Sequence, residues 1–175
     1  IIPVLTVEEA KQYQSQGMIA AAERSGEIVE GFDIGNSPFS YMNDEMKGKE
    51  VVLTTTNGTK AINYAKEADD IIIGSFLNLK AVCDYLVKTE KAVILLCAGW
   101  KDRFNLEDTL FAGAVVHYLK ENEMFSGLSD SSLAAESMYA QAKDNLNDYL
   151  KNSSHRNRLE RLNLERDIDY CLQES

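Results

Sequence analysis

Short apolar runs alternate with stretches whose apolar residues recur every three or four positions. Five runs read as strands: 1–5, 18–23, 50–55, 70–75 and 91–97. Val51-Val52-Leu53 and Ile71-Ile72-Ile73 are apolar on consecutive residues rather than on alternate ones. That pattern suits strands covered on both faces, as in a parallel sheet between helices. The stretches between them carry helix-start signals. Thr6 and Glu9 have the spacing of a capping box, and Gly17 ends that helix. Ser37-Pro38 offers an N-cap followed by proline at the first helical position. Asn57, Asn78 and Asn105 each precede an apolar face at helical spacing, which begins at Ala61, Leu79 and Leu106. Beyond Gly127 the strand signals stop, and 130–174 reads as wholly helical with Asp130 as its cap. The alternation predicts an α/β fold: a layered, mostly parallel sheet with helices packed on it and a helical C-terminal extension. The 175 residues read as a single domain, with 1–127 the α/β part and 128–175 the extension, because no linker separates them.

Hydrophobic residues make up 45% and charged ones 26%, so the bulk of the chain has the composition of a packed domain and not of a disordered one. The net charge is −10, and residues 1–100 and 101–175 carry equal shares of it. Such a field repels phosphate backbones and anionic bilayers, which argues against nucleic acid and membrane partners. It also means that an anionic substrate needs a local reversal of potential. Ala92 to Ala98 is the longest strongly apolar stretch, far short of the ~20 residues that span a bilayer. Cys83, Cys97 and Cys171 are odd in number and lack CxxC spacing, against a disulfide framework or a thiolate zinc site. A reducing cytoplasm is the simplest compartment for them.

Ligands of open α/β sheets collect beyond the carboxyl ends of strands. Three segments fall there. Thr54-Thr55-Thr56-Asn57-Gly58-Thr59 joins a buried strand to a helix. Gly58 permits a tight or left-handed turn, and free N–H groups with the hydroxyls of Thr55, Thr56 and Thr59 can bind an anion such as phosphate. A plain capped turn uses the same residues. No Gly-Lys-Thr/Ser phosphate-loop signature is present. In Gly31-Phe32-Asp33-Ile34-Gly35-Asn36-Ser37-Pro38, Asp33 can bind a hard cation and Asn36 can orient a substrate oxygen; a glycine-rich turn with side-chain caps is the alternative. Cys97-Ala98-Gly99-Trp100 leads to Glu107 and Asp108 in a first helical turn, where carboxylates also simply favour the dipole. A magnesium site there needs one of them turned inward. Glu23-Arg24 closes the strand 18–23, and the Arg24 fork suits a phosphate or sulfonate, unless it is a solvated loop charge. His117, mid-helix, and His155, in a basic helical stretch, are poor catalytic bases. Cys97 reads as a buried thiol more than as a nucleophile.

Together, Glu23-Arg24-Ser25-Gly26, Gly31 to Pro38, Thr55 to Thr59, Cys97-Ala98-Gly99, Glu107-Asp108 and Asp167 to Cys171 resemble the 2-phosphosulfolactate phosphatase family in order and spacing. The tandem of GFDIGNSP and TTNGT is the most specific part. The resemblance implies a magnesium-dependent hydrolase that releases phosphate from 2-phospho-3-sulfolactate, a step toward coenzyme M, or from a related small phosphate ester. It also implies an N-terminal βα segment with an Asp-x-x-Arg-Ala-type motif and a C-terminal tail, neither within these 175 residues. On this expectation Asp33, with Glu107 or Asp108, holds Mg²⁺. Thr55, Thr56, Asn57, Gly58 and Thr59, with Asn36 and Ser37, cradle phosphate or sulfonate, Arg24 neutralises the anion, and Glu23 and Asp33 are the catalytic carboxylates. A non-catalytic α/β module that binds an anionic metabolite is the alternative. A homo-oligomer is left open, with 130–174 as its interface.

Overall fold

The computed structural model describes residues 1–120 and 125–175. They form two compact units: Ile1–Ile71 with Trp100–Asp102, and Ile72–Gly99 with Arg103–Ser175.

The first unit is built on a four-stranded sheet. Its strands are β1 (Ile2–Pro3), β2 (Ile19–Arg24), β3 (Glu27–Ile28) and β4 (Val51–Thr54), in the order β1-β4-β2-β3. β1, β4 and β2 run parallel, with β2 and β4 in register from Ile19↔Val51 to Ala22↔Thr54. β3 folds back antiparallel on β2. Helix α1 (Val7–Ser15) covers one face, where its buried Ala10 meets Ala20, Ala22, Val52 and Phe32. Alanines on β2 let the helix come close to the sheet. The expected capping box is formed: the Glu9 N–H donates to Thr6 Oγ1 at 3.1 Å, and the Thr6 N–H donates to Glu9 Oε2 at 2.9 Å. Gly17 follows with φ +87°, a conformation costly for any other residue. On the other side of β2, Ile34 bridges Ala21 in parallel sense. Ser37-Pro38 starts a single 3₁₀ turn, Pro38–Tyr41, and not an α-helix, and Ser37 makes no side-chain cap. Helix α2 (Gly58–Tyr64) follows β4.

The second unit is helical. It contains α3 (Leu79–Thr89), α4 (Leu106–Lys120), α5 (Asp130–Ala142), α6 (Leu146–Leu150), α7 (Ser154–Glu160) and α8 (Glu165–Cys171). The last four account for the helical run expected over 130–174. Helix α4 is apolar nearly all round, with Ala112 to Val116 buried, as befits a helix at the centre of a core. Leu110, Val115, Cys83 and Leu150 are fully buried around it. α5 lies so close that a Cβ on Gly113 would stand 2.1 Å from the Ala135 carbonyl oxygen. Ser129, not Asp130, caps α5, its Oγ accepting the Ser132 N–H at 3.2 Å. Ser175 is bound to the start of α3, donating its N–H to Phe76 O and accepting from Lys80 N–H.

Two expected strands are not formed. Among the described residues, 70–75 and 91–97 make no ladder. Val93 and Leu95 pack on the helical core while Ile94 is 90% exposed and Leu96 53%. The apolar run therefore has one covered side and one bare one. An apolar run codes for burial, but a strand also needs a partner edge, which local sequence does not supply. No helix among the described residues is long and apolar enough to cross a membrane.

Candidate active site

In the first unit the parallel strands β1, β4 and β2 end together, and polar side chains gather at that edge. Residues alternate across a strand, so consecutive Glu23 and Arg24 leave β2 on opposite faces. Arg24 lies on the face of Ala22 and Val52. Its Nη1 donates to its neighbour's carbonyl, Glu23 O, at 2.6 Å. Its Nη2 donates to Thr54 Oγ1 at 2.9 Å and, more weakly, to Leu5 O at 3.4 Å. The guanidinium thus spans the ends of the strands, held by neutral oxygens. Among the described residues no carboxylate pairs with it.

Glu23 is 9% exposed and grips the turn that follows β4. It accepts from the Gly26 N–H, from the Thr56 N–H at 3.3 Å, and from Thr56 Oγ1. The turn is also tied to itself. The Thr59 N–H donates to Thr55 Oγ1 at 3.2 Å, and Thr59 Oγ1 donates to Thr55 O at 3.1 Å. Thr55 therefore does the capping that position 57 was expected to do; the Asn57 side chain makes no cap. Asn57 Oδ1 instead accepts the Lys101 N–H at 3.2 Å, fastening Trp100–Asp102 beside the turn. A Cβ on Gly58 would lie 3.0 Å from Thr55 Oγ1, so its glycine serves close approach. Among the described residues the N–H groups of Asn57 and Gly58 donate to nothing outside helix α2. Two free N–H groups, the Thr55 hydroxyl and a guanidinium without a carboxylate partner among the described residues can receive an anion at this sheet edge. α2 has only seven residues and adds little dipole. The longer α1 is already closed by its own capping box.

Asp33 and Asn36 flank the Ile34–Ala21 bridge, and both are exposed. Asn36 follows the bridge toward the carboxyl edge of β2, together with half-buried Ser37. Asp33 precedes it and lines a hollow of about 650 Å³ with Ile19, Ala20, Ser40, Asn43 and Glu45, at the amino end of β2.

In the second unit, Glu107 and Asp108 open α4. Asn105 Oδ1 accepts the Asp108 N–H at 3.2 Å and caps the helix. Asp108 Oδ2 accepts the Gly99 N–H at 2.7 Å. Burial pushes the Asp108 carboxyl above its ordinary value, the Gly99 N–H opposes this, Glu107 adds to it, and His155 opposes it. Glu107 Oε1 accepts the Ser153 hydroxyl at 2.6 Å, while its Oε2 is buried with no hydrogen-bond partner among the described residues. Arg158 Nη2 lies 3.2 Å from His155 Nδ1. Ser153, His155 and Arg158 were not expected at these carboxylates; forty-six residues separate Ser153 from Glu107, and no local pattern links them. Cys97 is exposed rather than buried, and partial desolvation of its sulfur, then Asp108, pushes its thiol up, the wrong direction for a nucleophile. His117 is absorbed by Glu136, 3.0 Å away, and the Tyr139 ring. Among the described residues no three His, Cys, Asp or Glu side chains converge as a ready-made metal cage.

A family model described as 2-phosphosulpholactate phosphatase matches residues 1–175. The chain is 43% identical over 174 residues to a probable 2-phosphosulfolactate phosphatase of Thermotoga petrophila, covering 99% of this chain and 74% of that protein. It is 42% identical to the similarly named protein of Thermotoga maritima, with the same coverage. It is 39% identical to that of Caldanaerobacter subterraneus, covering 98% of this chain and 73% of the relative.

Proposed function

This chain belongs to the 2-phosphosulfolactate phosphatase family and is a phosphoric monoester hydrolase, and from that premise we propose that it releases phosphate from 2-phospho-3-sulfolactate or a closely related small ester at the carboxyl edge of β1, β4 and β2. The observation that carries the location is Arg24, a guanidinium held by three neutral oxygens with no carboxylate among the described residues to neutralise it. Its unused N–H groups remain available to phosphate oxygens.

The turn after β4 supplies the rest of the cradle. The Asn57 and Gly58 N–H groups and the Thr55 hydroxyl receive phosphoryl oxygens, with Asn36 and Ser37 approaching from the neighbouring segment, while the Thr56 hydroxyl donates to Glu23. Thr59 and Glu23 hold the turn in shape and so act as positioning residues. Such preorganised donors stabilise charge that grows on the transferring group, each worth about 10²–10³ in turnover in comparable sites. A water displaces the alcohol, and the leaving oxygen takes a proton.

The metal expected with this chemistry is Mg²⁺, and Glu107 suits it. One carboxylate oxygen is fixed by Ser153 and the other is buried without a partner. Magnesium characteristically takes one or two carboxylates and completes its shell with water and phosphate, so a ready-made cage is not required. Held there, the ion would supply Lewis-acid charge neutralisation. Asp108, already engaged by Gly99, orients the start of α4 beside Glu107.

The test is phosphate release from phosphosulfolactate and other phosphorylated hydroxy acids, with added Mg²⁺ and after chelation. Release that stops with chelator and returns with Mg²⁺ is expected. Full activity in chelator refutes the metal assignment. Binding of the esters without any release refutes the hydrolase in favour of an anion-binding module.

A further inference from the structure

The unit that holds Arg24 also holds two further cations beside the same turn, Lys60 and Lys101, and the proposed phosphate cradle does not use them. Lys60 lies one position after Thr59 on α2. Its Nζ stands 2.5 Å from Asp102 Oδ1. The preceding residue, Lys101, donates its backbone N–H to Asn57 Oδ1. Two consecutive residues of the Trp100–Asp102 arm are therefore tied to two points of the turn, 57 and 60. Lys101 Nζ rests over the Trp100 ring, 4.6 Å from its centre.

The arm is unusual in its backbone. Lys101 and Asp102 both have positive φ, +52° and +58°. A left-handed conformation is costly for a non-glycine residue. The contacts that hold the arm do not obviously repay this. The Lys60 and Asp102 side chains are 43% and 79% exposed, and exposed ion pairs contribute little to stability. Asp102 raises the proton affinity of Lys60 chiefly through their hydrogen bond, so the ammonium is engaged by it. An ammonium next to an anion cradle, covered by a solvent-exposed carboxylate on a strained arm, is an exchangeable pair.

We propose that Lys60 is the subsite for the second anionic group of the substrate, a sulfonate or carboxylate a few bonds from the phosphorus, and that Asp102 occupies this subsite until the ligand displaces it. This rests on the reading of Arg24 and the turn as the phosphate site. It accounts for selection of esters with two anions over simple phosphate esters. A ligand's sulfonate takes the place of the Asp102 carboxylate on Lys60 while Asn57 keeps the arm attached through Lys101. Lys101, on the same arm, adds a positive charge at the rim. The exchange requires no net desolvation of a new charge, since one anion replaces another.

Two non-hydrolysable probes test this by calorimetry on the intact protein: phosphonoacetate, which carries a second anion, and methylphosphonate, which does not. The readout is the ratio of their affinities. In Lys60→Met the preference for phosphonoacetate falls about tenfold, the scale of one charge-assisted contact. In Asp102→Asn the preference rises several-fold, because Lys60 loses its internal competitor. Both positions are on the surface, and unchanged circular dichroism confirms that the variants fold. A ratio that stays at the wild-type value in Lys60→Met overturns the subsite, and a ratio that fails to rise in Asp102→Asn overturns the exchange and makes the pair a strut. Arg24→Gln reports on the underlying phosphate site alone. Weakened binding of both probes in that variant upholds the phosphate site, and undiminished methylphosphonate binding refutes it, whatever Lys60→Met does to the ratio.

Discussion

Arg24→Lys separates a phosphate-binding guanidinium from a structural strut. The native side chain makes three hydrogen bonds, to Glu23 O, Thr54 Oγ1 and Leu5 O. A lysine ammonium keeps the charge but not the planar fork, and cannot reach all three oxygens while also facing a ligand. Loss of two bonds to neutral oxygens, in a partly solvated site, gives about 1–3 kcal/mol of destabilisation. The lower end applies, because the site is only partly buried. For a chain of this size each kcal/mol lowers Tm by roughly 2–4 °C, so a decrease of about 2–6 °C is expected. The effect on catalysis is larger. A charge-assisted, two-pronged contact to a phosphoryl group is worth about 3–4 kcal/mol in the transition state, which is roughly 10²–10³ in kcat/KM. Phosphate release measured well below Tm, with a parallel thermal melt, separates the two effects. The reasoning fails if kcat/KM falls by no more than the unfolded fraction explains, since Arg24 then only braces the strand ends.

Asn57→Ala should lower kcat/KM about tenfold with a Tm change within about 2 °C, because it releases the Lys101 N–H of an exposed arm; undiminished phosphate release makes Asn57 a mere turn residue. Gly113→Ala should destabilise the chain by about 3 kcal/mol or more in urea denaturation, since its Cβ would meet the Ala135 carbonyl at 2.1 Å and α4 and α5 would have to separate. Glu136 is held below its ordinary value first by the His117 hydrogen bond, with Lys120 adding to it. A depressed carboxyl stabilises the fold above its unfolded pKa, and that contribution is lost as pH falls through the folded value. Glu136→Gln should therefore cost about 1 kcal/mol at pH 7, with the gap between the two stability curves closing as acid protonates the carboxylate; a gap that persists into acid excludes the charge as its cause.

The elements that sequence patterns disclosed are those whose determinants are local. The Thr6 capping box, the left-handed Gly17 and the strands at 18–23 and 50–55 depend on neighbours a few residues away, and the structure has them. The segments 70–75 and 91–97 have equally strong apolar runs, yet strand formation depends on an edge that neither segment carries. Asn57 illustrates the same limit within the site. Its position before a helix suggested a cap, but Thr55 reaches the Thr59 N–H first, and the amide turns to a backbone N–H forty-four residues away. The companions of Glu107 and Asp108, namely Ser153 and His155, lie on a distant helix start that no spacing rule reaches.

A chain of net charge −10 must still present positive potential to a phosphate ester, and the alternation of β2 shows how it does so. Glu23 and Arg24 are adjacent, and in a loop they could neutralise each other. On a strand they cannot, because successive side chains leave on opposite faces. Glu23 goes to the Thr56 side, where its carboxylate is consumed by the Gly26 N–H, the Thr56 N–H and the Thr56 hydroxyl. Arg24 goes to the Thr54 side, where it meets only neutral oxygens. The acid thus shapes the anion cradle, and the base keeps its charge for the ligand. A one-residue slip of β2 would reverse the two roles, put a carboxylate beside Thr54 and abolish the site. The register Ala22↔Thr54 is therefore as necessary to the proposed catalysis as the arginine itself.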